Sequence, residues 1–265
     1  MKKLALLFIA VVAVVTLSAC RVEKIDNDQA RKSYTLKLRD FNSIMNYSSC
    51  DIHYTQSNTY KVVLKASPHW YETHSVTVNN GQLVIGDRPE RKQPGITVLR
   101  SHSENQTPEL WVSAPALTRS TAAGSGDFYA ETDITGQSLE LTVAGSGDSR
   151  LKNVSLSDGF VYKVAGSGDI VTGSVQARTV SFRISGSGDV KSRLYRVEST
   201  ELFISGSGDG DLSFDECVRA NVSVSGSGDI SLSGNLQSLN KRASGAGEIN
   251  TSNLKVGNYV TPKEY

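Results

Sequence analysis

Apolar and polar residues alternate along most of the chain after residue 33, with the period of two that predicts β-strands. In the second half the alternation recurs around a Gly-Ser-Gly-Asp tetrapeptide, and most copies have apolar residues two and four positions before them. The tetrapeptide occurs at residues 124–127, 145–148, 166–169, 186–189, 206–209 and 226–229, and Gly-Ala-Gly-Glu at 245–248 is a seventh copy. Successive copies lie 21, 21, 20, 20, 20 and 19 residues apart. We therefore interpret residues 119–265 as a repeat array with a C-terminal cap.

The length of the repeat indicates the fold. A propeller blade needs about 40 to 45 residues, and a leucine-rich repeat needs a Leu and Asn ladder that is missing here. One coil of a parallel β-helix fits, because stacked coils bury a continuous apolar interior that a single coil cannot bury. The first glycines of the copies should align at one corner, where glycine permits positive φ and close backbone approach. These glycines are Gly124, Gly145, Gly166, Gly186, Gly206 and Gly226.

Residues 34–118 read as an N-terminal β-rich part made of short strands, with a hairpin turn at Asn79-Asn80-Gly81 and surface loops at 86–95 and 101–108. The apolar residues that share a face in these strands are Tyr34, Leu36 and Leu38; Cys50, Ile52 and Tyr54; Val62 and Leu64; Val76, Val78, Leu83 and Ile85; Ile96 and Val98; and Leu110, Val112 and Ala114. The composition of residues 30–265 is compatible with one β domain or with two closely joined pieces.

The repeat places one acidic residue per coil at the same corner. The residues are Asp127, Asp148, Asp169, Asp189, Asp209, Asp229 and Glu248. Stacked carboxylates about 4.8 Å apart repel each other and need compensation. Backbone N–H groups of the local turns are one answer. Bound Ca²⁺ is the other, as in calcium β-rolls, but the nine-residue period of those repeats is missing here. We favour a structural ladder without a metal or another cofactor.

The N-terminus carries the pattern of an export signal. A basic start at Lys2 and Lys3 is followed by an apolar run over residues 4–17 that is too short to span a bilayer, which takes roughly 20 residues. The following Leu-Ser-Ala-Cys resembles the bacterial lipobox, so residues 1–19 are predicted to be a lipoprotein signal peptide and Cys20 the lipid-attachment residue. An ordinary signal with a chance cysteine is the alternative. Residues 20–33 then form a lipidated tether, and Arg21 in place of Asp indicates sorting to the outer membrane.

The charge balance and the reactive residues argue against several classes of function. The chain has 28 basic and 27 acidic side chains, without a basic stripe, so we expect no nucleic-acid partner. Cys50 and Cys217 either pair or are buried as separate thiols, and we favour separate thiols. The four histidines, His53, His69, His74 and His102, all precede the repeats and lack a zinc-helix spacing. No serine of the repeated Gly-Ser-Gly is distinguished as a nucleophile, so the sequence predicts no catalytic residue.

The tetrapeptide ladder resembles the bacterial family described as "putative auto-transporter adhesin, head GIN domain". The likeness covers roughly residues 38–255 and includes Phe41, Pro115-Ala116-Leu117 and the segments Cys-Asp-Ile-His-Tyr-Thr-Gln at 50–56 and Gly-Gln-Leu-Val-Ile at 81–85. It implies a right-handed parallel β-helix, often on an envelope lipoprotein, and supplies no catalytic residue or ligand.

We therefore expect a non-enzymatic cell-envelope lipoprotein, bound to the membrane through its lipid, that serves adhesion or binds a glycan or protein. An envelope structural or sensing role without adhesion is the alternative. A β-helical polysaccharide lyase or hydrolase is less favoured, because repeats that differ by only two residues in length leave no room for the loops that wall an active site.

Overall fold

The described structure is almost entirely β. It is a computed structural model that describes residues 31–88 and 106–257. Strands make up 68% of it and helix 3%, and they form a β-solenoid of about seven turns. The predicted all-β solenoid class is therefore confirmed.

The described residues form nineteen strands and one helix, joined by turns and loops. In chain order they are β1 Lys32–Leu36, β2 Ser43–Asn46, β3 Asp51–Gln56, β4 Lys61–Ala66, α1 Pro68–Thr73, β5 His74–Asn79, β6 Gln82–Asp87, β7 Glu109–Ala114, β8 Arg119–Ala122, β9 Phe128–Ala130, β10 Ile134–Val143, β11 Ser149–Leu151, β12 Val154–Gly166, β13 Ile170–Gln176, β14 Thr179–Gly186, β15 Val190–Tyr195, β16 Ser199–Gly206, β17 Gly210–Gly226, β18 Ile230–Gly245 and β19 Ile249–Val256.

The coils stack in parallel with the repeat in register. All described pairings among the strands from β8 to β19 are parallel. The corner glycines are direct partners on successive strands, in the order Gly166, Gly186, Gly206, Gly226 and Gly245. These pairings show the predicted alignment for Gly166, Gly186, Gly206 and Gly226. Gly124 and Gly145 continue the same corner, since a Cβ added to Gly145 would lie 2.1 Å from the Gly124 carbonyl oxygen. Inward positions carry the apolar residues of each coil, so the interior is a continuous packed core.

The N-terminal part continues the solenoid and then closes it. Strand β2 lies parallel between β6 and β8, and β3 lies parallel between β7 and β9, so both extend the stack of coils. Antiparallel strands lie outside them, since β4 pairs with β1 and β7, and β5 pairs with β6. The β5–β6 hairpin turns at Asn80 (φ 49°) and Gly81 (φ 75°), at the predicted place. Ile96 and Val98 lie outside the described residues, as does most of the two predicted loops.

The short helix α1 differs from the prediction of strands and loops alone for this region. Ser67 caps it, because its hydroxyl accepts a hydrogen bond from the Trp70 amide at 3.1 Å, and Pro68 occupies the first turn. Trp70 is buried. The Ser-Pro signal was present in the sequence, but tertiary burial of Trp70 supplies the stability that six residues cannot supply alone. Within residues 31–88 and 106–257, no helix has the length and the apolar character needed to cross a membrane.

The C-terminal end has a different closure. Lys241 pairs in register with Val222, a buried inward position, but Lys241 itself is exposed, so the last coil has a charged residue where the coil before it has an apolar one. Its Nζ lies 3.2 Å from Thr251 Oγ1 and 3.4 Å from the Ile249 carbonyl oxygen. The ammonium group therefore links β18 to β19 in the last described coil. Most of the predicted cap, residues 258–265, lies outside the described residues.

Candidate functional site

The acidic corner forms a ladder of hydrogen bonds between coils. Oδ1 of each aspartate accepts a hydrogen bond from the backbone N–H of the acidic residue in the next coil. The distances are 2.8 Å to Asp148, 3.1 Å to Asp169, 2.8 Å to Asp189, 2.7 Å to Asp209, 2.7 Å to Asp229 and 2.9 Å to Glu248. The expectation of amides from the local turn is wrong in this respect, because the amide that donates to each carboxylate belongs to the next coil.

The ladder begins one coil earlier than the repeats indicate. Asp51 Oδ1 accepts a hydrogen bond from the Asp127 amide at 2.9 Å, so the N-terminal part supplies the first rung. Burial raises the pKa of Asp51, although the Asp127 N–H partly offsets this. The sequence signal was Ser49-Cys50-Asp51-Ile52, a degenerate Ser-Gly-Asp-apolar motif. Within the two described stretches, no three His, Cys, Asp or Glu side chains are grouped to hold a metal ion.

An aromatic stack joins the N-terminal strands to the first coil. The ring of His53 lies 4.1 Å from the Trp111 ring and 4.9 Å from the Tyr129 ring, with nearly parallel planes. Lys65 Nζ lies 4.5 Å from the far side of the Trp111 ring, and Arg150 lies 5.8 Å from the Tyr129 ring. The strand order places these cations on the outer sides of the stack. The faces of the stacked rings are thus in contact with one another or with a cation, and the stack stabilises this junction.

A groove on another wall has the opposite character. It runs over β14, β16, β17 and β18, has a volume of about 320 Å³, and we call it the wall groove. The residues that line it are Arg183, Glu201, Leu202, Phe203, Asn221, Val222, Ser223, Asn240 and Arg242. Phe203 is 40% exposed, and in the described repeats from residue 119 to 257 it is the one aromatic side chain among the exposed large hydrophobics.

Register explains the shape of the wall groove. Arg183, Phe203, Ser223 and Arg242 are successive outward positions on four neighbouring strands. Ser223 is small, so a depression opens over it between Phe203 and Arg242, which are two strands or about 9.6 Å apart.

Polar groups line one side of this depression. Glu201, Asn221 and Asn240 occupy the adjacent row of outward positions. Arg183 donates to Glu201 at 2.7 Å. In the part of the chain that the structure describes, the side chains of Asn221, Asn240 and Arg242 have no hydrogen-bond or ion-pair partner.

The residues of the predicted export signal and anchor, which are Lys2, Lys3, Cys20 and Arg21, lie outside the described residues, as does His102. Cys50 is buried beside β3 and Cys217 in β17, five coils or about 24 Å further along the stack. A disulfide needs Cα atoms within about 7 Å, so the alternative of a Cys50–Cys217 disulfide is wrong and the favoured separate thiols are seen.

Comparison with known proteins supports the resemblance. The model of the family described as "Putative auto-transporter adhesin, head GIN domain" matches residues 40–227 and 208–261. Among curated proteins, none matches the chain.

Solved structures share the fold at low sequence identity. One is a putative adhesin from Bacteroides fragilis, with a TM-score of 0.67, 18% identity, and coverage of 84% of this chain and 97% of that chain. A putative lipid binding protein from Parabacteroides distasonis has a TM-score of 0.62, 19% identity and coverage of 85% and 98%. A putative adhesin from Parabacteroides merdae has a TM-score of 0.61, 17% identity and coverage of 84% and 98%. At these identities the likeness concerns the fold.

Proposed function

Because the chain belongs to the "Putative auto-transporter adhesin, head GIN domain" family, we propose that it is a non-enzymatic lipoprotein of the cell envelope that binds a glycan or a protein through the wall of its solenoid. The observation that carries the proposal is the wall groove. It combines an exposed phenyl ring with side-chain amides and a guanidinium group that have no partner in the described residues. Exposed aromatic and Arg side chains with unused polar groups are typical of recognition surfaces.

The family also supports a place at the envelope or surface. In this proposal the thiol of Cys20 carries the lipid, and the tether of residues 20–33 connects it to β1. The outer membrane is the proposed location, because Arg21 replaces the aspartate that retains lipoproteins in the inner membrane. In this arrangement the lipid anchors the protein, and the wall of the solenoid binds the ligand.

One structural neighbour is named a putative lipid binding protein, but a lipid site inside the solenoid of this chain is disfavoured. Inward positions of the coils are filled with side chains such as Phe160, Phe182 and Phe214, which are at most 1% exposed. An acyl chain would have to displace this packing, at a loss of about 1.5–3 kcal/mol for each large apolar side chain exposed.

The non-enzymatic part of the proposal rests on the uniform coils. Their lengths differ by two residues, and the one carboxylate lining the wall groove, Glu201, is paired with Arg183 at 2.7 Å. An acid–base mechanism needs a titratable group free to reach its substrate, and this pairing opposes it.

Protease accessibility in intact cells, together with adhesion of those cells to immobilised glycans and matrix proteins, tests the proposal. We expect the wild-type protein to be cleaved from outside and to mediate adhesion, and Phe203→Ala to lose adhesion. Val171→Ala is the matched control, since Val171 is 44% exposed on a different wall. Complete shielding in the periplasm, with equal adhesion of all three strains, would instead favour the structural or sensing role.

A further inference from the structure

We propose that the wall groove binds an acidic carbohydrate, with one pyranose ring against Phe203 and its carboxylate on Arg242. This inference rests on the proposed function, because it names the chemical class of the ligand for the same groove. Three features of the groove carry it: the open side of the ring, the two asparagines and the unequal pairing of the two arginines.

Phe203 has an uncovered side. Its register partner toward the C-terminus is Ser223, whose side chain is too small to cover a phenyl ring. Trp111 differs, because His53 and Lys65 cover its two sides at 4.1 and 4.5 Å. The C–H groups on the face of a pyranose carry partial positive charge and are attracted to the negative face of an aromatic ring. Phe203 is therefore the ring on which a sugar can lie.

The two asparagines supply what sugar hydroxyls need. Asn221 and Asn240 are direct partners on neighbouring strands, in the row beside Phe203 and Ser223. Each amide offers two donors and an acceptor, and neither is used by another described side chain. A hydroxyl group both donates and accepts hydrogen bonds. A row of side-chain amides next to the phenyl ring therefore matches the edge of a sugar ring, which carries several hydroxyl groups.

The arginines decide in favour of an acidic sugar. Arg183 is neutralised by Glu201 at 2.7 Å, whereas Arg242 has no ion pair with any described residue. A free guanidinium binds a carboxylate through two parallel hydrogen bonds of about 2.8 Å. A sugar ring about 3.5–4 Å from Phe203 leaves roughly 6 Å of the two-strand gap toward Arg242. That space accommodates a ring-borne carboxylate and its hydrogen bonds.

The size of the groove argues against a protein ligand at this place. Stable protein interfaces bury about 800 Å² on each partner and centre on clustered large side chains. On the side of Phe203 opposite to the asparagines, the next row of outward positions contains only small residues, which are Ser185, Ser205, Ser225 and Ser244. A single bound ring should have a dissociation constant on the order of 1 mM. Adhesion with such a site would depend on many anchored copies acting together.

Titration of the full-length protein in detergent with glucuronic acid and with glucose, followed by NMR, tests the inference. We expect glucuronic acid to bind at least tenfold more tightly than glucose, and more weakly as salt is raised. Phe203→Ala should weaken binding of glucuronic acid at least tenfold. Arg242→Gln should remove the preference over glucose. Lys191→Gln, an exposed cation on another wall, is the control and should leave both affinities unchanged.

The outcomes separate this inference from the proposed function. If neither sugar binds, or if Phe203→Ala and Arg242→Gln bind glucuronic acid as the wild type does, the carbohydrate inference is wrong. A loss of cell adhesion in Phe203→Ala without any sugar binding would leave adhesion standing and overturn only the ligand class. Binding of glucuronic acid that requires Phe203 and Arg242 supports the inference even where intact cells show no adhesion.

Discussion

Replacement of Gly186 by alanine should open the solenoid at one corner. A Cβ atom added to Gly186 would lie 2.0 Å from the carbonyl oxygen of Gly166 and 3.0 Å from its carbonyl carbon, in the coil below. Gly186 also has φ of 136°, a backbone region that is essentially restricted to glycine. The contact is with backbone, so no side-chain rotation relieves it, and the two coils have to separate locally.

The expected loss of stability has two parts. The backbone conformation costs an alanine about 1–3 kcal/mol. Separation of the coils weakens the hydrogen bond from the Ser187 amide to the Gly166 carbonyl oxygen, which is 3.0 Å long, for a further loss of about 0.5–1.5 kcal/mol. We therefore expect the free energy of unfolding to fall by about 2–4 kcal/mol. Gly136→Ala is the matched control, because its added Cβ has its nearest contact at 3.8 Å, with the end of the Leu156 side chain.

Urea unfolding of both variants is the first measurement, and amide hydrogen exchange is the second. Exchange is needed because repeat arrays can lose coils locally, so that a single unfolding free energy is not sufficient. In Gly186→Ala we expect the amides of β12 and β14 near the corner to lose protection, while Gly136→Ala changes stability by at most about 1 kcal/mol. If both variants have the same stability and protection, close approach of the coils is not what requires glycine at this corner.

Four further predictions concern the ladder, the anchor and the open end. Asp189→Ala should lower the free energy of unfolding by about 1–3 kcal/mol, because it leaves the Asp209 amide without its acceptor. Asp189→Asn should lower it less, because the side-chain amide oxygen can still accept. Equal melting temperatures of the two variants would refute this. Thermal melts in millimolar Ca²⁺ and in EDTA should coincide, while a bound ion would add about 2.7 kcal/mol at a hundredfold excess over its dissociation constant. Cys20→Ala should abolish labelling with fatty acid, and continued labelling would contradict the anchor. Lys241→Val should associate in a concentration-dependent way, measured by light scattering, because a charge at a strand edge opposes pairing with another chain. Lys241→Arg keeps the charge and should not associate. If both variants behave alike, the charge has no such role.

The amino-acid sequence was sufficient for the solenoid itself. The tetrapeptides recur at 19 to 21 residues, and the apolar residues that precede them can be buried only if successive coils stack in register. Burial acts on these positions in every coil, so a local pattern carries the information. The same applies to the β5–β6 hairpin, because Asn80 and Gly81 are residue types that tolerate positive φ, glycine since it lacks Cβ.

Other features needed the tertiary structure because they depend on which residues become neighbours across coils. Asp51 joins the ladder although Ser48 and Cys50 stand where the repeats have glycine, and only stacking of β3 on β9 reveals it. Within the repeats, the partner of each aspartate carboxylate is an amide 19 to 21 residues away, which local turn chemistry does not indicate.

The wall groove is the clearest case. Outward positions are free of the burial constraint that makes inward positions periodic, so Phe203, Ser223 and Arg242 show no pattern along the chain. They become one surface only when the register brings them onto adjacent strands about 4.8 Å apart. Repetition in the sequence therefore determined the rod, and the register between its coils decided which side chains meet on its wall.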